Sequence, residues 1–205
     1  MYTLYYSKGS SALSAHILLE ELGAEYTIEE RPIPKGAHLE PDYLAVNPKG
    51  RVPALQTPDG ILTENPAILW YLGEVHLQAG LLPETPIERA RLQELNAYIC
   101  ATVHIAFAHK QRGHRWCDDA EAIAAMKPKV AANLRDCAAY IENHALKGPW
   151  VLGDAFSVSD PYLFLVPRWL EVCEVDLAGF PKLQAHFDAM KARPATQRAM
   201  AQQGL

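Results

Sequence analysis

Two adjacent serines stand where a short apolar run meets a helical segment, in the stretch YYSKGSSALSAH at residues 5–16. A chain that passes from strand to helix through a Lys-Gly turn leaves the first helical N–H groups without intrahelical partners. The helix dipole adds about half a positive charge there, so the position favours an anion such as a thiolate. A hydroxyl of Ser10 or Ser11 donated to the sulfur would lower the thiol pKa. Helix capping is the alternative role for the same hydroxyls.

Two further stretches carry groups suited to a peptide-like ligand. In GRVPAL, a cis Val52–Pro53 bond would leave the main chain of Val52 free to pair with an extended peptide. In TENPA, the carboxylate of Glu64 suits an ammonium group, while Asn65 and the helix N-terminus suit a carboxylate. The alternative for this pair is a helix cap with a favourable acid at the helix start.

The later part of the chain offers weaker candidates. The stretch SVSD at residues 157–160 matches a capping box, and we interpret it as structural. His104 lies inside a long helical segment, where packing is favoured over a role in a cleft. The neighbouring histidines are five residues apart and do not share a helical face, and the four cysteines lack CxxC spacing, so no metal site is expected.

The elements that must position the two serines, the Val-Pro stretch and the Glu-Asn pair alternate between strand and helix. The stretches YTLYYS, SALSAHILLEEL and EYTIEERPI predict a βαβ unit with parallel strands. VPALQT and ILT, joined by PDG, predict an antiparallel hairpin, and NPAILWYLGEVH predicts a helix with Asn65 as its N-cap. The predicted order is therefore βαβ followed by ββα.

No strand pattern follows the Gly- and Pro-containing stretch at residues 80–86, which predicts a linker. Long helical segments are predicted at 87–112 and 119–145, with three shorter helices after them. The fold class is therefore α/β plus all-α. We expect an α/β domain at 1–79 and a helical domain at 87–205.

Composition narrows the class of protein further. The chain has 205 residues, 49% of them apolar and 21% charged, as in ordinary globular proteins. No apolar run reaches the ~18 residues of a membrane span, and the N-terminus lacks the features of a secretion signal, so a cytoplasmic protein is expected. A net charge of −5 with scattered Lys and Arg argues against nucleic acid.

In this order and spacing, the motifs resemble the glutathione S-transferases, most closely the bacterial beta-type branch. The resemblance covers nearly the whole chain and rests on LYYSKGSSALSAH, NPKGRVPAL, LTENPAILWYL, the linker and FSVSDPYL. It implies a thioredoxin-like N-terminal domain that binds glutathione as co-substrate, and a helical domain that forms much of the pocket for a hydrophobic electrophile. It also implies a cytoplasmic, homodimeric detoxification enzyme that needs no metal.

The same resemblance implies roles for individual residues. Val52 would pair its main chain with the cysteinyl unit of glutathione beside a cis Pro53, and Glu64 and Asn65 would hold the γ-glutamyl end. Lys35 and Arg51 are the cations expected near the glycyl carboxylate.

Many beta-type members carry a cysteine where this chain has Ser11. A serine cannot form a mixed disulfide, so stabilisation of the glutathione thiolate is the role left to it, with Ser10 as competitor. Tyr6, at the strand end, resembles the tyrosine of tyrosine-type transferases, but in the beta-type branch a tyrosine at this position is a neighbour rather than the catalyst. His104 aligns with a helix histidine that lines the beta-type active site.

Three functions fit these features. The first is transfer of glutathione to a hydrophobic electrophile. The second is a glutathione-dependent disulfide reductase or peroxidase, and the third is a non-catalytic glutathione-binding protein. The second substrate cannot be inferred from the sequence, because its pocket depends on how helices and loops are placed.

Overall fold

Four strands form a single mixed sheet in the first part of the chain. In this computed structural model, which describes residues 1–205, they lie in the order β2-β1-β3-β4. Their bounds are β1 Tyr2–Tyr6, β2 Tyr26–Glu30, β3 Ala54–Thr57 and β4 Gly60–Thr63. β1 and β2 are parallel, whereas β3 runs antiparallel to both β1 and β4. The predicted βαβ unit and hairpin are confirmed.

Helices pack against this sheet as the predicted order requires. They are α1 Ala12–Glu21, α2 Pro41–Val46 and α3 Asn65–Val75. α1 is buried along residues 12–19, because it packs against β1, α3 and the last helix of the chain. The burial of a whole helix, rather than one face, explains why its sequence is apolar nearly all round.

A second set of helices follows the linker, in agreement with the predicted all-α region. They are α4 Pro86–Tyr98, α5 His104–Ala108, α6 Ala120–Tyr140, α7 Asp160–Leu163, α8 Leu165–Val172, α9 Pro181–Ala192 and α10 Pro194–Gln202. The helix predicted at 87–112 is interrupted by a π-helical turn at Ile99–Val103 and ends at Ala108. None of the helices combines the length and apolar character needed to cross a membrane.

The chain divides into two units, and the division differs from the predicted domains. The first unit is Met1–Pro83 together with Met190–Leu205, and the second is Glu84–Ala189. The break after Pro83 lies inside the predicted linker, but the predicted helical domain, 87–205, extends too far. Its last 16 residues belong to the first unit, because α10 packs on α1.

Polar contacts hold the C-terminal segment in the first unit. Arg193 donates two hydrogen bonds to Glu21, at 2.5 and 2.8 Å. The buried imidazole of His16 accepts a hydrogen bond from Gln203 Nε2 at 3.0 Å. A periodicity of apolar residues shows that a helix has a buried face but does not say against which unit, so the sequence could not reveal this contact.

The capping box at residues 157–160 is only partly as predicted. The carboxylate of Asp160 accepts a hydrogen bond from Ser157 N at 2.7 Å, as expected. The hydroxyl of Ser157, however, accepts from Ser159 N at 3.3 Å instead of from Asp160 N, which donates to the Ser157 carbonyl at 3.2 Å. The helix begins at Asp160, with Ser159 as its N-cap.

Candidate active site

The strand directions bring most of the candidate residues to one edge of the sheet. β3 is antiparallel to β1 and pairs Ala54 with Tyr5, so the residues before β3 lie beside the residues after β1. β4 pairs Thr63 with Ala54, which places the start of α3 at the same edge. β2 also ends there, because Glu30 pairs with Tyr6. The serine turn, the Val-Pro stretch and the Glu-Asn pair therefore converge.

The two serine hydroxyls have different environments. Ser10 Oγ accepts hydrogen bonds from the N–H groups of Ser7 and Ala12, each at 3.4 Å. The hydroxyl of Ser11, the N-cap residue of α1, caps no N–H group and has no hydrogen-bond partner in the chain. Ser11 is half-buried, with a backbone φ of −63° and ψ of −12°. The capping role thus belongs to Ser10, and the unengaged hydroxyl at the helix start belongs to Ser11.

Tyr6 is part of the core. Its side chain is 7% exposed and lies on the same face of β1 as Leu4. Burial, and to a smaller degree the charge of Glu30, raises the pKa of Tyr6 above its ordinary value, so the phenol is protonated at neutral pH.

The Val52–Pro53 bond is cis, as the family resemblance implied. The carbonyl of Arg51 is fixed by hydrogen bonds from Tyr43 Oη at 2.7 Å and Asn47 Nδ2 at 2.6 Å. The main chain of Val52 makes no hydrogen bond within the protein, since the ladder of β3 begins at Ala54. An N–H and a C=O group are therefore available to an extended ligand at this edge.

The start of α3 differs from the prediction. Asn65 is the first helical residue and Glu64 is the N-cap, because Ile68 N donates to the Glu64 carbonyl at 3.0 Å. Glu64 has a φ of 73°, an unfavourable conformation for a residue with a side chain. Its carboxylate forms an ion pair with Lys49, whose Nζ also donates to Thr63 Oγ1 at 2.7 Å.

The side chain of Asn65 turns into the protein. It is 5% exposed, and its Nδ2 donates to the hydroxyl of Ser14 at 2.5 Å, while its Oδ1 is buried without a partner. The polar groups that α3 presents at its N-terminus are consequently backbone N–H groups, with Pro66 lacking one.

Lys35 and Arg51 are exposed cations without ion-pair partners. Lys35 ends a 3₁₀ turn, Ile33–Lys35, that follows β2. This turn is tied to the end of β1, because Ile33 N donates to Ser7 Oγ at 3.1 Å.

His104 belongs to the second unit, at the first position of α5. Its ring stacks on Trp169 with centroids 4.8 Å apart, and Phe107 stacks on the same indole at 5.4 Å. His104 Nε2 lies 3.1 Å from Arg112 Nη2. A guanidinium can only donate, so Nε2 is the acceptor in this contact.

Sequence reasoning missed three residues that contact these groups. Ser14 bonds to Asn65, and Lys49 bonds to Glu64. Arg112 bonds to His104. Only Ser14 left a signal, since it is a polar residue inside an apolar helical segment. The partners of Lys49 and Arg112 are set by tertiary contacts.

The chain contains no group of three or more His, Cys, Asp or Glu side chains placed to hold a metal ion. All four cysteines are free thiols. Cys137 and Cys173 are buried, whereas Cys100 and Cys117 are partly exposed. A cavity of about 380 Å³ in the second unit, between α4 and the end of α6, is lined by none of the candidate residues.

The architecture and this edge define a class of protein. A βαβ-ββα unit with a cis-proline edge, followed by a helical unit, is the arrangement expected of a glutathione transferase. The family model for the glutathione S-transferase N-terminal domain matches residues 1–74, and that for the C-terminal domain matches residues 95–194.

Whole-chain comparisons agree with the domain matches. Glutathione S-transferase GstA of Escherichia coli O157:H7 is 37% identical over 207 residues, covering 98% of each chain. A glutathione transferase homologue from Sulfitobacter, solved with bound glutathione, is 38% identical with a TM-score of 0.97, covering 100% of this chain and 99% of that one. A beta-class enzyme from Sphingomonas chungbukensis is 29% identical with a TM-score of 0.85, over 99% of each chain. The chain belongs to the glutathione S-transferase family, and the predicted fold class and enzyme class are confirmed.

Proposed function

We propose that this enzyme binds glutathione at the sheet edge and stabilises its thiolate through the hydroxyl of Ser11 for attack on a hydrophobic electrophile. The observation that carries the assignment is the difference between the two serines. Ser10 Oγ already accepts two N–H groups, whereas Ser11 keeps its hydroxyl free at the N-terminus of α1. A donor and a helix dipole at one point favour an anion.

The chemistry follows from lowering the thiol pKa. The thiol loses its proton to solvent, and the thiolate attacks the electrophilic carbon. A carbon–sulfur bond forms, and any leaving group departs with its bonding electrons. The hydroxyl and the helix N-terminus supply a larger thiolate fraction at neutral pH. A serine at this position disfavours disulfide exchange through the protein, so transfer is the better-supported reaction.

The remaining residues at the edge bind the tripeptide. The free main chain of Val52, beside cis Pro53, pairs with the cysteinyl unit. Glu64 and the backbone N-terminus of α3 hold the ammonium and carboxylate of the γ-glutamyl end. Lys35 and Arg51, exposed cations that lie after β2 and before β3, bind the glycyl carboxylate.

His104 is proposed to line the pocket for the second substrate. Its half-buried ring stacks on the buried Trp169, which also contacts Phe107, so an aromatic cluster holds the imidazole and its polar atoms in place. We also propose that the enzyme works in the cytoplasm as a homodimer, the commonest symmetric assembly. Sedimentation that finds only monomers at micromolar concentration would contradict the dimer.

The test of the thiolate assignment is the pH profile of conjugation with an aryl halide. Ser11→Ala should raise the apparent thiol pKa and lower kcat/KM about 10-fold to 100-fold at neutral pH, because a charge-assisted hydrogen bond is lost. Ser10→Ala is the matched control and should leave the profile in place. An unchanged profile in Ser11→Ala would refute the assignment.

A further inference from the structure

A buried serine links the starts of the two helices at the active site. Ser14, in the first turn of α1, is 0% exposed. Its hydroxyl donates to the carbonyl of Ser11 at 2.9 Å and accepts from Asn65 Nδ2 at 2.5 Å. These two contacts make a continuous chain of hydrogen bonds from α3 to the N-cap of α1.

Proton counting fixes the direction of this chain. A serine hydroxyl has one proton, and a carbonyl oxygen can only accept, so the Ser14 proton points to Ser11. The atom of Asn65 that faces Ser14 must then be the amide nitrogen. Asn65 Oδ1 is left facing elsewhere, in agreement with its lack of a partner. Both hydrogen bonds therefore donate in the direction of Ser11.

The carbonyl of Ser11 is held at two points. Besides the Ser14 hydroxyl it accepts from Ser14 N at 3.2 Å. Two bonds to one oxygen restrict the peptide plane that follows Ser11, and with it the backbone angles that aim the Ser11 side chain. The Ser11 hydroxyl has no partner of its own. The backbone therefore fixes the Cα–Cβ direction of Ser11, from which the hydroxyl extends without a contact at the oxygen.

We propose that Ser14 and Asn65 are positioning residues for the thiolate-stabilising hydroxyl, acting through the carbonyl of Ser11. The proposal rests on the role assigned to Ser11 under the proposed function. It gives Asn65 a task that the family resemblance did not assign, since its buried amide nitrogen bonds to Ser14. Neither Ser14 nor the Asn65 amide nitrogen needs to touch glutathione.

The first experiment compares variants that remove different hydrogen bonds between Asn65, Ser14 and Ser11. Ser14→Ala removes the hydroxyl. Asn65→Asp replaces the amide donor with a carboxylate that competes for the Ser14 proton. When the hydroxyl of Ser14 donates to this carboxylate, the carbonyl of Ser11 keeps only the hydrogen bond from Ser14 N. Both should raise the apparent thiol pKa in the pH profile and lower kcat/KM about threefold to tenfold at neutral pH. KM for glutathione in Ser14→Ala should stay within about twofold. Ser14→Thr, which keeps the hydroxyl, should restore the wild-type profile.

A matched control separates positioning from general loss of stability. Ser159 is also a fully buried serine whose hydroxyl bonds a helix carbonyl, that of Leu92 at 3.5 Å, but it lies in the second unit. Ser159→Ala should lower the melting temperature without moving the pH profile. A Ser14→Ala enzyme that loses stability and keeps its profile would overturn the proposal.

A double-mutant cycle distinguishes failure of this proposal from failure of the proposed function. If Ser14 acts through Ser11, then Ser14→Ala should add no further pKa shift in a Ser11→Ala background. Additive shifts would overturn the positioning role. If Ser11→Ala shifts the profile and Ser14→Ala does not, the positioning proposal alone fails. If Ser11→Ala shifts nothing, the thiolate assignment fails instead.

Discussion

Two helix starts in this protein use serines in opposite ways. At α7 the carboxylate of Asp160 accepts four hydrogen bonds: from Val151 N and His186 Nε2 at 2.9 and 3.0 Å, and from Ser157 N and Oγ at 2.7 Å each. Asp160 is 0% exposed. At α1 the half-buried hydroxyl of Ser11 accepts and donates nothing within the chain.

The difference shows how a structural cap and a binding site can be told apart. A buried polar group is costly unless it is paired, so a helix start that only stabilises the fold satisfies every polar atom it contains. A helix start that must take a ligand keeps one donor unpaired and accessible. Serine is common at helix starts of both kinds, and only the pattern of pairing separates them.

The largest effect is expected at the fully paired start. Asp160→Ala leaves two N–H groups, a hydroxyl and a buried imidazole without their acceptor, and should lower the free energy of unfolding by about 3–5 kcal/mol. Urea denaturation measures this loss. Ser157→Ala removes one of the four donors and should cost about 1 kcal/mol. Equal losses in the two variants would mean that Asp160 is not the centre of the network.

A smaller effect should separate the two serines of the active site. Ser10→Ala removes a hydroxyl that accepts two N–H groups, and we expect a loss of about 1 kcal/mol in the free energy of unfolding. Ser11→Ala removes an unpaired hydroxyl and should change stability by less than about 0.5 kcal/mol. Denaturation of the two variants side by side checks this. If Ser11→Ala proves the more destabilising, Ser11 is the true cap and the contrast between the helix starts disappears.

The buried His16 should make the stability of the protein depend on pH. His16 is 0% exposed, and burial lowers its pKa below the ordinary value of 6.5, although Gln202 and Glu20 act in the other direction. The unfolded chain then binds the proton more readily than the folded protein does. Above about pH 6.5 the imidazole of His16 is neutral in both the folded and the unfolded state, so it causes no change of the free energy of unfolding with pH. As the pH drops from there toward the lowered pKa, the free energy of unfolding should decrease.

Denaturation curves of wild type and His16→Gln across that range measure the effect. The variant should lose part of the pH dependence, since glutamine cannot titrate. His114→Gln, at an exposed position, is the control and should keep the wild-type slope. If His16→Gln also keeps the wild-type slope of stability against pH, groups other than His16 cause the pH dependence.

The smallest effect is expected at the start of α3. Glu64 pairs with Lys49, but their side chains are 58% and 45% exposed, so solvent screens the attraction. Lys49→Met should change the free energy of unfolding by no more than a few tenths of a kcal/mol. A loss above about 1 kcal/mol would mean that Glu64 is held as firmly as Asp160, and that the carboxylate is less available to a ligand.

Sequence patterns predicted the local features of the site well. A tight PDG turn, a Pro at the start of a strand and serines before an apolar helix each have a direct physical consequence within a few residues. The strands and the hairpin agree with those consequences, whereas the cis Val52–Pro53 bond had been implied only by the family resemblance. The predicted N-cap was wrong by one residue, because the unusual φ of Glu64 begins the helix at Asn65.

The roles of individual polar groups depended on contacts between distant parts of the chain. Neither the inward turn of Asn65 toward Ser14 nor the return of α10 to the first unit has a local signal. Both pairings join residues that are 51 or more positions apart in sequence. Hydrogen-bonding capacity is a property of a residue type, but the choice of partner belongs to the packed structure.

By itself, the sequence determined the order of elements, because backbone geometry and helix-terminal electrostatics act over a few residues, and the resemblance of its motifs implied the family. The conformation of the turn decided which of the two serines keeps a free hydroxyl, because Ser10 bonds to N–H groups only two and three residues away. The tertiary structure alone decided that Asn65 turns inward to Ser14 and that α10 returns to the first unit, because those contacts join residues far apart in the sequence.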